Sequence, residues 1–342
     1  MIVSERASAF CCSRRQTGRN LVAGNTARQG SGGLAAWIVW RLAAIPFTAF
    51  AACGLCFLLL HLVPGSPFAS EQLRDPLAQQ HLAAAYGLNQ PWWRQWLQWS
   101  QQALDGSFGF SFQRRDLPVA ALMAQAWPTS LALGALALLV GTLIALPSAI
   151  SVVRHPAARP SVVLRALMDG LLCVPTFVSA PLLLLLVASN SFGLLAAPLA
   201  GRVLEYGLAV LALSLPVTAV VFRWSCVALQ GAVANPWWTA VAARHLPQRR
   251  LWWRYALGSC IPALTGSLAP LAADVLTGAM AVETVFGLPG LGQLLASAAR
   301  HRDTPVLLGA VVCVVTTVML VQLVADVLPA LGAGRAARRS AA

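Results

Sequence analysis

Five ionisable side chains, Asp169, Arg223, Asp274, Glu283 and Asp326, stand inside or at the ends of long apolar runs. A charge carried to membrane depth is costly, so it faces a water-filled pathway, finds a partner or reaches an interface. Asp274 lies in the middle of its run and, with Asp169, reads in two ways. Either it lines a pathway, where it would favour cations, or its carboxyl is neutral or hydrogen-bonded to a neighbouring helix. Asp326 is close enough to a run's end to reach water, and Arg223 is placed to snorkel to lipid phosphate. No enzyme motif accompanies these groups. Gly-x-Ser-x-Gly, His-Glu-x-x-His and a phosphate-binding glycine-rich loop with lysine are absent, and all 24 basic residues are arginine. The five histidines are scattered over different segments, and the eight cysteines show no metal spacing. No catalytic residue, metal ligand or cofactor of the chain's own is assigned.

The elements that must position these residues follow from composition. Of 342 residues, 58% are hydrophobic and 10% charged, with the apolar ones in blocks separated by polar, proline- and glycine-rich breaks. This is the pattern of an all-α polytopic membrane protein. Six segments approach the about 20 residues that a bilayer core needs: 42–63, 129–150, 166–188, 207–229, 264–282 and 305–328. With the N-terminus in the cytoplasm, sixteen arginines fall inside and seven outside, so the bias favours both termini inside. The same rule explains the net charge of +13 better than nucleic-acid binding, for which no basic and aromatic module exists. Residues 1–40 read as a disordered basic tail, 41–332 as the membrane domain and 333–342 as a second basic tail. A long outer loop is expected at 64–128. Within it, Gly87 to Pro91 opens a helix carrying Trp92, Trp93, Trp96 and Trp99, read either as lying in the headgroup layer or as part of a small extracytoplasmic core.

Two further segments stand out. In the inside loop at 230–257, Asn235 followed by Pro236 is a helix-start signal. It introduces a short helix, Trp237-Trp238-Thr239-Ala240-Val241-Ala242-Ala243, which stops near His245 and Pro247. At the outer end of the fifth segment, Val282-Glu283-Thr284-Val285-Phe286-Gly287-Leu288-Pro289-Gly290-Leu291-Gly292 holds three glycines and a proline within six residues, a signal of tight turns. Glu283 is tolerable at a membrane boundary if its carboxylate reaches water or a backbone N–H.

Glu-Thr-Val-Phe followed by Pro-Gly-Leu-Gly, with the Trp-rich basic loop before it, resembles the permease subunits of the dipeptide, oligopeptide and nickel family of bacterial ABC importers. The resemblance runs from about Arg41 to the C-terminus and extends to the segments Leu104 to Phe112 and Arg302 to Pro305. It implies a type I importer permease in the bacterial inner membrane, paired with a second homologous permease, two cytoplasmic ATPases that bind ATP and Mg, and an extracytoplasmic solute-binding protein. It also implies that Trp237, Trp238, Thr239, Ala240, Ala243, His245 and Arg249 couple the chain to an ATPase. Glu283, Thr284, Phe286, Pro289, Gly290 and Gly292 would form the outer gate near the docked binding protein; Asp274 stands where the family has a small residue, so it and Asp169 keep the two readings given above. His245 departs from the family by standing where a glycine is usual. The alternative is a membrane scaffold or intramembrane enzyme without ATPase partners, for which the sequence offers only Asp169 and Asp274 as a polar pair.

Overall fold

The computed structural model describes residues 31–62, 84, 86–114, 117–190, 198–244 and 246–340. Of the tail expected to be disordered at 1–40, residues 31–40 are described and form the start of a helix; residues 1–30, the start of the loop expected at 64–128 and His245 lie outside the described residues. The described residues are helical apart from turns and one isolated bridge between Phe110 and Pro118.

Contacts divide the chain into two units, Met1–Thr48 and Ala49–Ala342. Helix α1, Ser31–Leu62, begins in the first. There Arg41 lies over the Trp37 ring at 5.2 Å, and Thr48 Oγ1 donates to the carbonyls of Ala44 and Ile45 around Pro46.

The second unit continues with α2, Trp92–Leu104; α3, Val119–Arg154; α4, Arg159–Leu172; α5, Thr176–Asn190; and α6, Pro198–Val233. Then come the short α7, Pro236–Ala242, and one turn of α8, Gln248–Arg250. A π-helical turn, Leu251–Ala256, leads into α9, Leu257–Phe286. The last two helices are α10, Leu291–Arg300, and α11, Thr304–Ser340.

Among the described residues, four helical stretches are long and apolar enough to cross a membrane: Ala36–Leu62, Val119–Arg154, Val203–Val233 and Thr304–Val327. A fifth candidate is the bent pair Pro270–Phe286 and Leu291–Arg300, which turns by 65°. The segment expected as the third span is divided into α4 and α5. Pro175 has no N–H to donate and disfavours a helical conformation at Val174, so α4 ends in a turn closed by Cys173 N–H to the Gly170 carbonyl.

The main core is a seam between α3, α6 and α9. On α3, Gly134, Ala137, Gly141, Ala145 and Ala149 are all buried, a stripe of small residues that lets helix backbones approach closely. A Cβ on Gly141 would come 2.6 Å from Val217 Cγ1 and 3.2 Å from the Ser214 carbonyl on α6. The outside of the bundle is apolar instead: Leu139, Leu143, Leu185 and Val227 are each more than half exposed. A surface of this kind suits lipid or a membrane partner rather than water.

The tryptophan helix α2 forms as expected, and one side of it packs against α1 and α11. Trp96 and Trp99 stack at 5.4 Å, and Trp99 packs in a cluster with Cys53, Phe57 and Leu308. Gly54 leaves room for the Trp96 indole at 3.8 Å from its Cβ position. Trp92 and Trp93 stay exposed.

Candidate functional site: a buried-carboxylate elbow and an aromatic-anchored short helix

The break between α9 and α10 is built by the glycine-rich run. Gly287 ends α9 in the left-handed region, φ 66°, which costs glycine little. Its N–H and that of Leu288 both reach the Glu283 carbonyl. The chain then turns through Pro289 and Gly290 and starts α10 at once.

The first N–H groups of α10 have no partner within the helix, and side chains from elsewhere supply two. Ser130 Oγ on α3 accepts from Leu291 N–H at 2.8 Å, and Glu283 Oε2 accepts from Gly292 N–H at 2.7 Å. Glu283 is fully buried, so of the two partners foreseen for it the backbone N–H is the one observed. A buried helix N–H left without an acceptor costs about 1–3 kcal/mol, which the contact to Gly292 avoids.

Two of the three glycines, Gly290 and Gly292, are sterically required. A Cβ on Gly290 would collide with the Glu283 carboxyl group, coming to 2.7 Å from Oε1 and closer to Oε2 and Cδ. One on Gly292 would strike the Met280 backbone on α9. The expected gate residues therefore separate into two sets. Glu283, Phe286, Gly290 and Gly292 are buried and hold the bend, whereas Thr284 and Pro289 are exposed.

A second buried carboxylate fastens the segment between α2 and α3 to the start of α11. Asp303 is 3% exposed and accepts from the Ser111 hydroxyl, from Phe112 N–H at 3.1 Å and from Gln113 N–H at 3.4 Å. Arg302 beside it adopts a left-handed φ of 53°. The structure thus joins the two segments, Leu104 to Phe112 and Arg302 to Pro305, that resemble the family separately. The roles of Asp303, Ser111 and Ser130 were not foreseen. Asp303 before Thr304-Pro305 does carry a helix-start signal, but nothing in the sequence marks its distant partners.

The short helix in the 230–257 loop is anchored by aromatic packing. Asn235 caps it by accepting Trp237 N–H at 3.4 Å, and Pro236 occupies its first turn. Trp238 is buried and meets Trp252 at 5.2 Å and Trp237 at 5.8 Å, both edge to face. Trp252 is fixed in turn by its Nε1–H donating to Gln248 Oε1 at 3.3 Å. Thr239, Ala240 and Ala243 lie exposed on the other side, and Arg249 is exposed beyond the turn.

Asp169 and Asp274 are exposed, on α4 and α9 respectively. Asp274 is the first of three polar residues, with Thr277 and Thr284, that are all exposed on α9. Spacings of three and seven keep them on one helix face, about 15 Å long at 1.5 Å per residue.

A bundle with an apolar exterior, helices packed on small residues and a span bent at a buried carboxylate is a polytopic membrane protein. Residues 137–335 match the family model described as binding-protein-dependent transport system inner membrane component. Similarity also extends to the oligopeptide transport system permease protein OppB of Salmonella typhimurium, with 32% identity over 275 residues, 80% of this chain and 89% of that protein. The dipeptide transport system permease protein DppB of Lactococcus lactis is 29% identical over 306 residues, 86% of this chain and 97% of its own. The dipeptide permease DppB of Bacillus subtilis is 24% identical over 280 residues. The chain belongs to the binding-protein-dependent transport system inner membrane components, as a permease and not an ATPase.

Proposed function

We propose that the chain is the permease subunit of an ATP-driven importer, forms part of the pathway for peptides, and is coupled to separate ATPase subunits. The observation that carries this is α7. It is a capped seven-residue helix keyed by Trp238 to Trp252, at the foot of the two long helices α6 and α9. A helix held in this way moves as one body with the spans it joins and transmits a rigid displacement. Thr239, Ala240 and Ala243, with His245 and Arg249 following, form the surface that an ATPase grips, and ATP with Mg is bound on that partner.

The arginine bias supports α7 and both termini in the cytoplasm and the Glu283 elbow outside. There Thr284 and Pro289 face a solute-binding protein, while the buried set keeps the bend rigid. The polar face of α9 from Asp274 to Thr284 lines the pathway against a second, homologous permease, with Asp169 at its margin. Asp274 favours cationic peptides over neutral ones. Six crossings complete the architecture if α4 and α5 together make the remaining one. Peptide cargo is supported by the oligopeptide and dipeptide permeases that match most of this chain.

The test is uptake of a labelled tripeptide by cells lacking their own peptide importers and expressing this chain with its neighbouring subunits. Ala240→Trp adds bulk to an exposed helix face, where substitutions change stability by about 0.5 kcal/mol or less. It should abolish uptake at an unchanged protein level. Normal uptake in that variant would remove α7 from the coupling surface.

A further inference from the structure

We infer that Arg250, Trp253 and Arg254 form a binding site for one anionic phospholipid of the cytoplasmic leaflet; this rests on the proposed placement of the loop inside. Pro247, Arg249, Arg250, Trp253 and Arg254 line an open concavity of about 540 Å³, with three guanidinium groups and no carboxylate among them. The π-helical turn sets this arrangement. It directs Leu251, Trp252 and Ala256 into the core and leaves Trp253 and Arg254 outside. Trp253 is 48% exposed, an unusual position for an indole unless it lies at a membrane interface.

The chemistry changes in order along the same side of the chain. Arg250 and Arg254 are exposed and cationic, Gly258 follows with no described residue within 4 Å of its Cβ position, and then comes Ile261, 56% exposed. Charge, indole, open track and apolar side chain match the phosphate, glycerol backbone and acyl chain of a phospholipid entering the bilayer. A water-soluble anion would use the guanidinium groups and leave the apolar track empty. An acidic protein surface would need no track either.

Each arginine near an anionic membrane surface strengthens binding about fivefold. The two arginines substituted together should therefore change it by about 25-fold. The importer complex, purified in neutral detergent, is titrated with phosphatidylglycerol or phosphatidylcholine, and retained lipids are counted by native mass spectrometry. The wild-type complex should retain phosphatidylglycerol in preference to phosphatidylcholine. R250Q/R254Q should lose about 25-fold in apparent affinity for the anionic lipid only. Gly258→Phe, which fills the track and keeps both charges, should also lower retention.

Equal retention by wild type and R250Q/R254Q overturns the site. Displacement of the lipid by inorganic phosphate, with Gly258→Phe silent, makes it a free-anion site and overturns the lipid assignment. Loss of the ATPase from R250Q/R254Q with lipid retained makes it a protein-docking surface and overturns it as well. Placement is checked separately by labelling Arg250→Cys with a membrane-impermeant maleimide. Labelling from the outside of intact cells defeats the cytoplasmic reading, whatever the lipid count.

Discussion

Gly290→Ala tests whether the buried Glu283 carboxyl group sets the bend between α9 and α10. Gly290 has φ −109° and ψ 178°, a backbone conformation that alanine adopts freely, so any cost comes from the added methyl group. That methyl collides with the Glu283 carboxyl, which is fully buried and has no solvent to swing into. Two adjustments are open. Glu283 can release Gly292 N–H, at about 1.5–3 kcal/mol, or α10 can shift, at about 1–3 kcal/mol for an overpacked core. The easier one sets the result, so Gly290→Ala should cost about 2 kcal/mol. Glu283→Ala alone leaves Gly292 N–H buried without its acceptor, also at about 2 kcal/mol. In the double variant the obstacle is gone, and the alanine at 290 should add about 0 to 0.5 kcal/mol. The coupling of about 2 kcal/mol can be measured by reversible unfolding of the four proteins in mixed detergent and dodecyl sulfate micelles. A Gly290→Ala penalty of equal size in both backgrounds would show that the carboxyl is not what the methyl meets.

Asp303→Ala strips the acceptor from Ser111, Phe112 and Gln113 and should cost about 3 kcal/mol, with faster hydrogen exchange at Phe112 and Gln113; unchanged exchange would contradict the clasp. Trp238→Ala removes the buried indole under α7 and should cost about 3–5 kcal/mol. ATP-dependent uptake should fall with it, whereas Trp238→Phe, which keeps a ring against Trp252, should restore most of the uptake. Asp274→Asn should reduce uptake of cationic peptides more than of neutral ones, and an equal change for both would remove Asp274 from the pathway.

The helical class and the position of each short motif were legible because their signals are local. Asn235-Pro236 started a helix where expected, and the tryptophan helix followed Pro91. Three glycines and a proline after Glu283 produced a tight turn. What escaped the sequence depends on residues far apart in the chain. Ser130 lies 161 positions from Leu291 and Ser111 lies 192 from Asp303, and single hydroxyls carry no periodic signal. The break at Pro175 shows a different limit. The apolar run from Ala166 to Ala188 reads as one span by hydropathy, because hydropathy does not register a missing backbone donor. The division of the residues expected at the gate into buried Glu283 and exposed Thr284 is a matter of helix phase, fixed by which face of α9 meets α3.

The most direct measurement is purification of the chain, tagged at its C-terminus and expressed with its neighbouring subunits, followed by assay of the co-purifying chains for ATP hydrolysis. An ATPase and a second permease should come with it, and ATP turnover should disappear when Trp237 to His245 is deleted. A chain that purifies alone, under conditions that keep a control importer intact, would contradict its role as a coupled permease.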